Sequence, residues 1–212
     1  MSILLSSLVT LGQPNSLEGR SSIELNIGLW HESKAVNDVI ISGTSSTAKS
    51  NGFLGGLAYS QWLDENLNVT VSVGLLSAEA ESRAIVSFPI AGFTRLTQRT
   101  SSVIPILVGV RYYLPQSEGS TSVRPFAALG IGPFLGFEAK NTVLVQESRS
   151  ETAFGVRLGG GVDFLLSQSF KLGANIGYYL MTDYSTPVGA RKNYNGPEFS
   201  LGFAFIFGDG SR

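Results

Sequence analysis

The sequence predicts an all-β fold, a transmembrane eight-stranded antiparallel up-and-down β-barrel, and three observations predict it. Apolar residues alternate with small or polar ones at period two through eight runs, while helical periodicity is almost absent. The runs are about 10 to 14 residues long. Globular strands cluster at ~5–6 residues, whereas a tilted strand needs about 9–11 to cross lipid. The connections alternate long and short without exception, which in an up-and-down barrel puts the long loops at one end and the tight turns at the other.

The first run, Ser22 to Trp30, sets Ile23, Leu25, Ile27 and Leu29 against Glu24, Asn26, Gly28 and Trp30. The second, Gly52 to Trp62, is weakly patterned and its faces stay unassigned. The third, Asn66 to Leu76, is the cleanest, with Leu67, Val69, Val71, Val73 and Leu75 on one side. The fourth, Val103 to Leu114, sets Ile104, Ile106, Val108, Val110 and Tyr112 against Leu107, Gly109, Arg111 and Tyr113. The fifth, Val123 to Ala139, sets Leu129, Ile131, Leu135 and Phe137 against Ala128, Gly130, Gly132 and Glu138. In the sixth, Ala153 to Leu166, Phe154, Val156, Leu158 and Phe164 oppose Gly155, Arg157, Gly161 and Asp163. In the seventh, Phe170 to Met181, Leu172, Ile176 and Leu180 oppose Lys171, Asn175 and Tyr179. The eighth, Glu198 to Phe207, carries Phe199, Leu201, Phe203, Phe205 and Phe207 on one face.

Between them, His31 to Asn51, Ser77 to Ser102, Lys140 to Thr152 and Thr182 to Pro197 are long. Leu63 to Glu65, Pro115 to Ser122 and Ser167 to Ser169 are short. Both termini therefore fall on the turn side, as an even strand number requires.

Composition narrows the choice between this barrel and a soluble sandwich or barrel, which would also alternate. Charged residues are 15%, against ~25% in an ordinary soluble domain. The polar faces carry mostly Gly, Ala, Ser and Asn, which suit the crowded inside of a narrow closed barrel. The few charges on those faces nearly cancel: Glu24, Glu138, Asp163 and Glu198 against Arg111, Arg124, Arg157 and Lys171. Buried charges must pair, because an isolated one costs several kcal/mol, so these eight are expected to form an interior charge ladder. No assigned apolar-face position is charged, as lipid contact requires. Tyr112, Phe137, Phe164, Tyr178, Phe199 and Phe207 stand near strand ends, where interfacial rings belong.

Several chemistries are excluded. There is no cysteine and one histidine, so there is no disulfide scaffold, no cysteine nucleophile and no zinc site built from Cys or several His. A net charge of -1 makes nucleic acid a poor partner. Gly159, Gly160 and Gly161 lie inside a strand pattern with no helix following, so they are no phosphate loop. No metal, cofactor or catalytic residue is assigned.

The last run carries a more specific signal. In SLGFAFIF, Ser200, Gly202, Phe205 and Phe207 occupy the places of the C-terminal signal of outer-membrane proteins, which the chain resembles here. The stretches RPFAALGIGPFLGF (Arg124 to Phe137) and GVRLGGGVDF (Gly155 to Phe164) look like the fifth and sixth strands of small eight-stranded outer-membrane barrels, the group of the OmpA transmembrane domain, OmpX and OmpW. The resemblance covers about residues 22–207. It implies a bacterial outer-membrane location and lipopolysaccharide contact, and it gives those four C-terminal residues the role of an assembly signal read by the barrel-assembly machinery.

Residues 1–21 are expected to be a short periplasmic lead or a truncated signal region, since Ile3 to Leu11 is apolar but has no Lys or Arg before it and no A-x-A site after it. Residues 22–207 form the barrel, and residues 208–212 a short polar tail. In the second long connection, Val86, Phe88, Ile90 and Phe93 are unusually apolar. They suggest either a partner or lipid contact or a β extension above the membrane. His31 sits in WHES. Some barrels of this class are lipid A-modifying enzymes with a rim His and Ser, but in a strand Glu32 faces away from His31 and cannot orient it.

The expectation is therefore a non-enzymatic surface-interaction barrel that displays four long loops to lipid, lipopolysaccharide or a protein partner. The alternative is a narrow or laterally opening conduit for small or hydrophobic solutes, and the third reading is a lipid A-modifying enzyme.

Overall fold

The structure, a computed structural model, describes residues 17–32, 44–48, 51–86, 93–115, 122–141, 146–189 and 191–208. Its strands are β1 (Ser21–His31), β2 (Thr44–Ala48), β3 (Asn51–Trp62), β4 (Leu67–Val86), β5 (Phe93–Tyr113), β6 (Val123–Asn141), β7 (Gln146–Leu165), β8 (Phe170–Met181) and β9 (Gly196–Phe207). Every pairing is antiparallel and β9 pairs with β1, so the sheet closes. The wall has eight staves. β2 pairs with the upper part of β4, continuing the line that β3 takes along its lower part.

The hydrogen-bond register fixes the barrel's tilt. A path across the strands from Ser21 runs through Gln61, Val69, Val110, Leu129, Leu158, Tyr178 and Pro197. Pro197 stands one residue past Glu198, the partner of Trp30, so the path returns to β1 level with His31, ten residues from its start. With strands about 4.8 Å apart and rising about 3.3 Å per residue, that stagger tilts them by about 40°. Such a lumen is just wide enough for its own side chains.

Period two sorts the side chains. Ile23, Leu25, Ile27, Leu57, Val73, Val108, Ile131, Leu158, Ile176 and Leu201 are all exposed on the outer face. β3, whose faces the pattern left open, turns Phe53, Leu57 and Tyr59 outward and buries Leu54, Ala58, Ser60 and Trp62. The lumen needs small inner residues where strands crowd. A Cβ on Gly132 would stand 1.9 Å from the Ile106 carbonyl oxygen, so nothing larger fits there.

The connections differ from expectation in one respect. Much of Ser77–Ser102 and Lys140–Thr152 is strand: β4 runs on to Val86, β5 begins at Phe93, and β6 and β7 pair from Asn141 and Gln146 downward. The first long connection holds β2. The wall is therefore uneven. β1, β3, β8 and β9 have 11 or 12 residues, and β4 to β7 have 19 to 21. At this tilt the short strands rise about 30 Å and the tall ones about 50 Å, so the tall half stands about 20 Å above a lipid core whose outward apolar band is about 25 Å.

Candidate functional site

The lumen is filled in layers. At the turn end, Leu17, Trp62, Tyr113, Phe126, Leu165 and Ile206 form a buried apolar floor. Leu17 belongs to the segment that precedes β1 and is held beneath the barrel by hydrogen bonds from Gly19 N–H to the Trp62 carbonyl and from Trp62 N–H to the Arg20 carbonyl. Arg124 lies over the rings of Trp62 and Tyr113, 4.9 Å from each centroid, and donates to the Glu65 carbonyl.

Above the floor lies a four-charge cluster. Arg111 donates to both oxygens of Glu24, at 2.7 and 2.9 Å. Lys171 bridges Glu24 at 2.9 Å and Asp163 at 2.6 Å, and Tyr113 donates its hydroxyl proton to Asp163 at 2.7 Å. Two carboxylates face two cations, each with several charge-assisted hydrogen bonds, which is the arrangement that offsets their desolvation. Higher up, Arg157 donates Nε–H to Glu198 at 2.5 Å.

Between these levels is a cavity of about 90 Å³. Gly56, Ser72, Gly74 and Gly130 line one side, and Asn26, Asn175 and Arg157 the other. Pro105 also lines it, and Pro133 lies on the adjoining β6. The β4–β5 pairing skips the positions opposite Pro105 and Ile104, and the β5–β6 pairing skips Ile106 and Leu107, opposite Pro133, because proline has no N–H for the ladder.

The extracellular end is closed by wall residues and by the segment after β8. Trp30, Leu76, Val103, Phe134 and Tyr179 meet Tyr184, Val188 and Tyr194 in one buried cluster. Arg191 is 1% exposed. It bonds Glu32 at 2.8 Å and lies over the rings of Trp30 and Tyr194, 5.6 and 5.3 Å from their centroids. Gly189 adopts φ +59°, and its N–H donates to buried Glu138 at 3.1 Å. A Cβ there would collide with Ser101 Oγ at 2.2 Å. Burial pushes the Tyr184 and Tyr194 phenols up, so both stay protonated. The Tyr194 hydroxyl reaches Ser101 Oγ at 3.0 Å and the Val188 carbonyl at 3.1 Å.

The eight charged positions singled out in the sequence thus lie at four levels: Arg124 at the floor, Glu24, Arg111, Asp163 and Lys171 above it, Arg157 and Glu198 higher, and Glu138 under the rim. All are buried except Arg157, which is partly exposed. Tyr113, Glu32, Arg191 and Leu17 complete these levels. Tyr113 was on the inner face by parity, but the other three lie outside the alternating runs and carry no periodic signal. In the C-terminal motif, Ser200 and Gly202 are inside, Phe205 is exposed and Phe207 is half-buried. A Cβ at Gly202 would stand 2.8 Å from Asn26 Oδ1 and 3.0 Å from Glu24 Oε1, so interior crowding alone accounts for that glycine. Val86 and Phe93 pair at the tip of the β4–β5 hairpin, and Phe88 and Ile90 lie outside the described residues. His31 Nδ1 is 2.5 Å from Asn51 Oδ1, Glu32 is engaged by Arg191, and Ser33 lies outside the described residues. Among the described residues no cluster of three His, Cys, Asp or Glu side chains is placed to hold a metal.

An apolar outer surface around an ion-paired lumen, with one end of the wall raised, defines a small barrel of the bacterial outer membrane. The chain belongs to the outer membrane protein beta-barrel domain family, whose match spans residues 1–207. Its fold is similar to that of solved barrels. One is Ail, the attachment invasion locus protein of Yersinia pestis, in complex with the heparin analogue sucrose octasulfate (TM-score 0.54, 17% identity, 90% of this chain and 99% of that one). A second is Neisserial surface protein A (0.53, 14%, 90% and 98%). A third is OprG of Pseudomonas aeruginosa (0.55, 13%, 93% and 99%). No curated protein matches the sequence.

Proposed function

We propose that this barrel is a non-enzymatic surface-interaction protein, and that the raised wall of β4 to β7 is the interacting part. The height difference between the two halves carries the reading. Lipid explains the 12-residue strands, but nothing in the bilayer requires strands of 19 to 21 residues. Paired backbone held rigidly outside the membrane is how a scaffold presents contacts. On this reading the partners are lipopolysaccharide and a protein or glycan of a facing surface, the latter in keeping with the anionic sugar bound by the similar barrel Ail. Ser200, Gly202, Phe205 and Phe207 serve assembly, through the barrel-assembly machinery. The test is deletion of residues 82–95. The barrel still shifts between folded and boiled positions on a gel, while binding of bacteria bearing it to lipopolysaccharide- or heparin-coated surfaces falls. Unchanged binding overturns the proposal.

The mid-barrel cavity and the ladder gaps at Pro105 and Pro133 favour a second reading, a narrow conduit for small or hydrophobic solutes. Large stable conductance in a planar bilayer would select it over the first.

A further inference from the structure

The segment from Thr182 to Tyr194 leaves β8 at a defined peptide. In the β7–β8 ladder the last regular pair is Gly155–Met181. The next pair is half made. Thr182 N–H still donates to the Phe154 carbonyl at 2.8 Å, but Phe154 N–H donates to the Thr182 side-chain Oγ1 at 3.2 Å instead of to its carbonyl. The hydroxyl replaces the backbone acceptor, and the chain turns into the mouth. Above this point β7 continues for eight residues, Gln146 to Ala153, paired with β6 alone among the described residues. By the alternation of an antiparallel ladder, the backbone groups of Thr152, Ser150 and Ser148 point to that open edge. On the opposite flank of the raised wall, the equivalent edge of β4 is covered by β2.

We infer that Thr182–Thr186 is a switch strap with two seats: the mouth, where it is seen, and the open edge of β7. Continued in the same register, Tyr184 pairs with Thr152 and Thr186 with Ser150. Proline at 187 costs the zipper no bond, because in this register that position points away from β7. The step is short, because the Thr186 hydroxyl already accepts a bond from Arg149 at 2.8 Å. Zipping draws Tyr184 and Val188 out of the cluster around Trp30 and Phe134 and uncovers the top of the lumen. The seated form is latched by Arg191 on Glu32, Gly189 N–H on Glu138, and Tyr184 N–H on the Lys192 carbonyl at 2.6 Å. The zipped form gains the backbone bonds that the β7 edge lacks.

The absence of cysteine makes cross-linking a clean test in lipid nanodiscs. The pair T152C/Y184C is in register only in the zipped form, where Cα atoms about 5.5 Å apart permit a disulfide. G136C/V188C reports the seated form, in which a Cβ on Gly136 lies 3.0 Å from Val188 Cγ2. Both are made in a W62F background, so that Trp30 is the lone tryptophan, with Y184C alone as control. Under mild oxidant the first pair closes in barrels that keep their heat-modifiable gel shift, and adding R191Q speeds closure by about tenfold through a population shift. Its oxidation raises acrylamide quenching of Trp30 above the Y184C control, while oxidation of the second pair does not. Folded T152C/Y184C barrels that stay reduced even with R191Q, or that close without exposing Trp30, overturn the switch.

Discussion

The short half of the wall and the tall half obey one rule up to the lipid boundary and part company there. On β9 the outward residues read Phe205, Phe203, Leu201 and Phe199, all exposed, and the strand ends within two residues, beyond Pro197. On β7 the outward series begins alike, with Phe164, Leu158 and Phe154 exposed, but continues as Thr152, Ser150 and Ser148, also exposed. The same alternation passes from acyl chains to water without losing its pairing. Lipid fixes where apolar side chains stop and leaves strand length free. Length beyond that point is held by backbone pairing to neighbours and is open to other uses.

The largest loss is expected from cutting the tie between the halves. Glu24 on β1 holds Arg111 of the tall β5 and Lys171 of the short β8. Glu24→Ala leaves two buried cations sharing Asp163. It should destabilise the barrel by about 3–5 kcal/mol, read as a lower urea midpoint for vesicle-embedded protein followed by tryptophan emission. A variant as stable as the parent would mean that water, and not Glu24, solvates these cations.

Next comes the lipid face itself. Leu201 is 52% exposed in the middle of β9, and Leu201→Arg should cost about 2–4 kcal/mol in the same titration. A loss well under 1 kcal/mol would place Leu201 outside the bilayer and move the membrane boundary drawn above.

The part of this architecture that lipid dictates was legible in the sequence. Contact with acyl chains on one face and crowding on the other impose period two, so the inward parity of Glu24, Arg111 and Asp163 could be read directly. Who meets whom could not. Arg157 and Glu198 meet through β8, and Glu24 reaches Arg111 across the lumen, because of a stagger of ten residues that the register of all eight staves sets together. From Ser77 to Ser102 apolar alternation fades in the sequence, so the upper parts of β4 and β5 carry no strand signal there, although they pair with each other up to Val86 and Phe93. The strap was illegible for a related reason: Tyr184, Arg191 and Tyr194 are buried by the mouth they enter, with no periodicity of their own.

A smaller effect belongs to the turn that joins a short stave to a tall one. Asp64 Oδ1 accepts hydrogen bonds from the N–H groups of Asn66 and Leu67, at 2.6 and 2.7 Å, and so fixes the β3–β4 turn. Asp64→Ala should cost about 1 kcal/mol and slow refolding into vesicles. It should leave the height difference untouched, because the upper pairing of β4 is made with β2 and β5.

The smallest predicted effect is the sharpest check on where the halves diverge. Ser150 faces outward on β7 in the same parity as Leu158 and Phe154, so a barrel immersed to the top of β7 would treat arginine there as it treats arginine at Leu201. If the raised wall stands in water, Ser150→Arg meets no desolvation and should change stability by no more than about 0.5 kcal/mol. The two arginines, introduced singly at matched parity on opposite halves, therefore measure the lipid boundary by difference. Equal losses would sink the tall half into the membrane and remove the ground for assigning it a surface role. A near-silent Ser150→Arg beside a costly Leu201→Arg fixes the boundary between Phe154 and Thr152 and leaves Thr152, Ser150 and Ser148 outside the lipid.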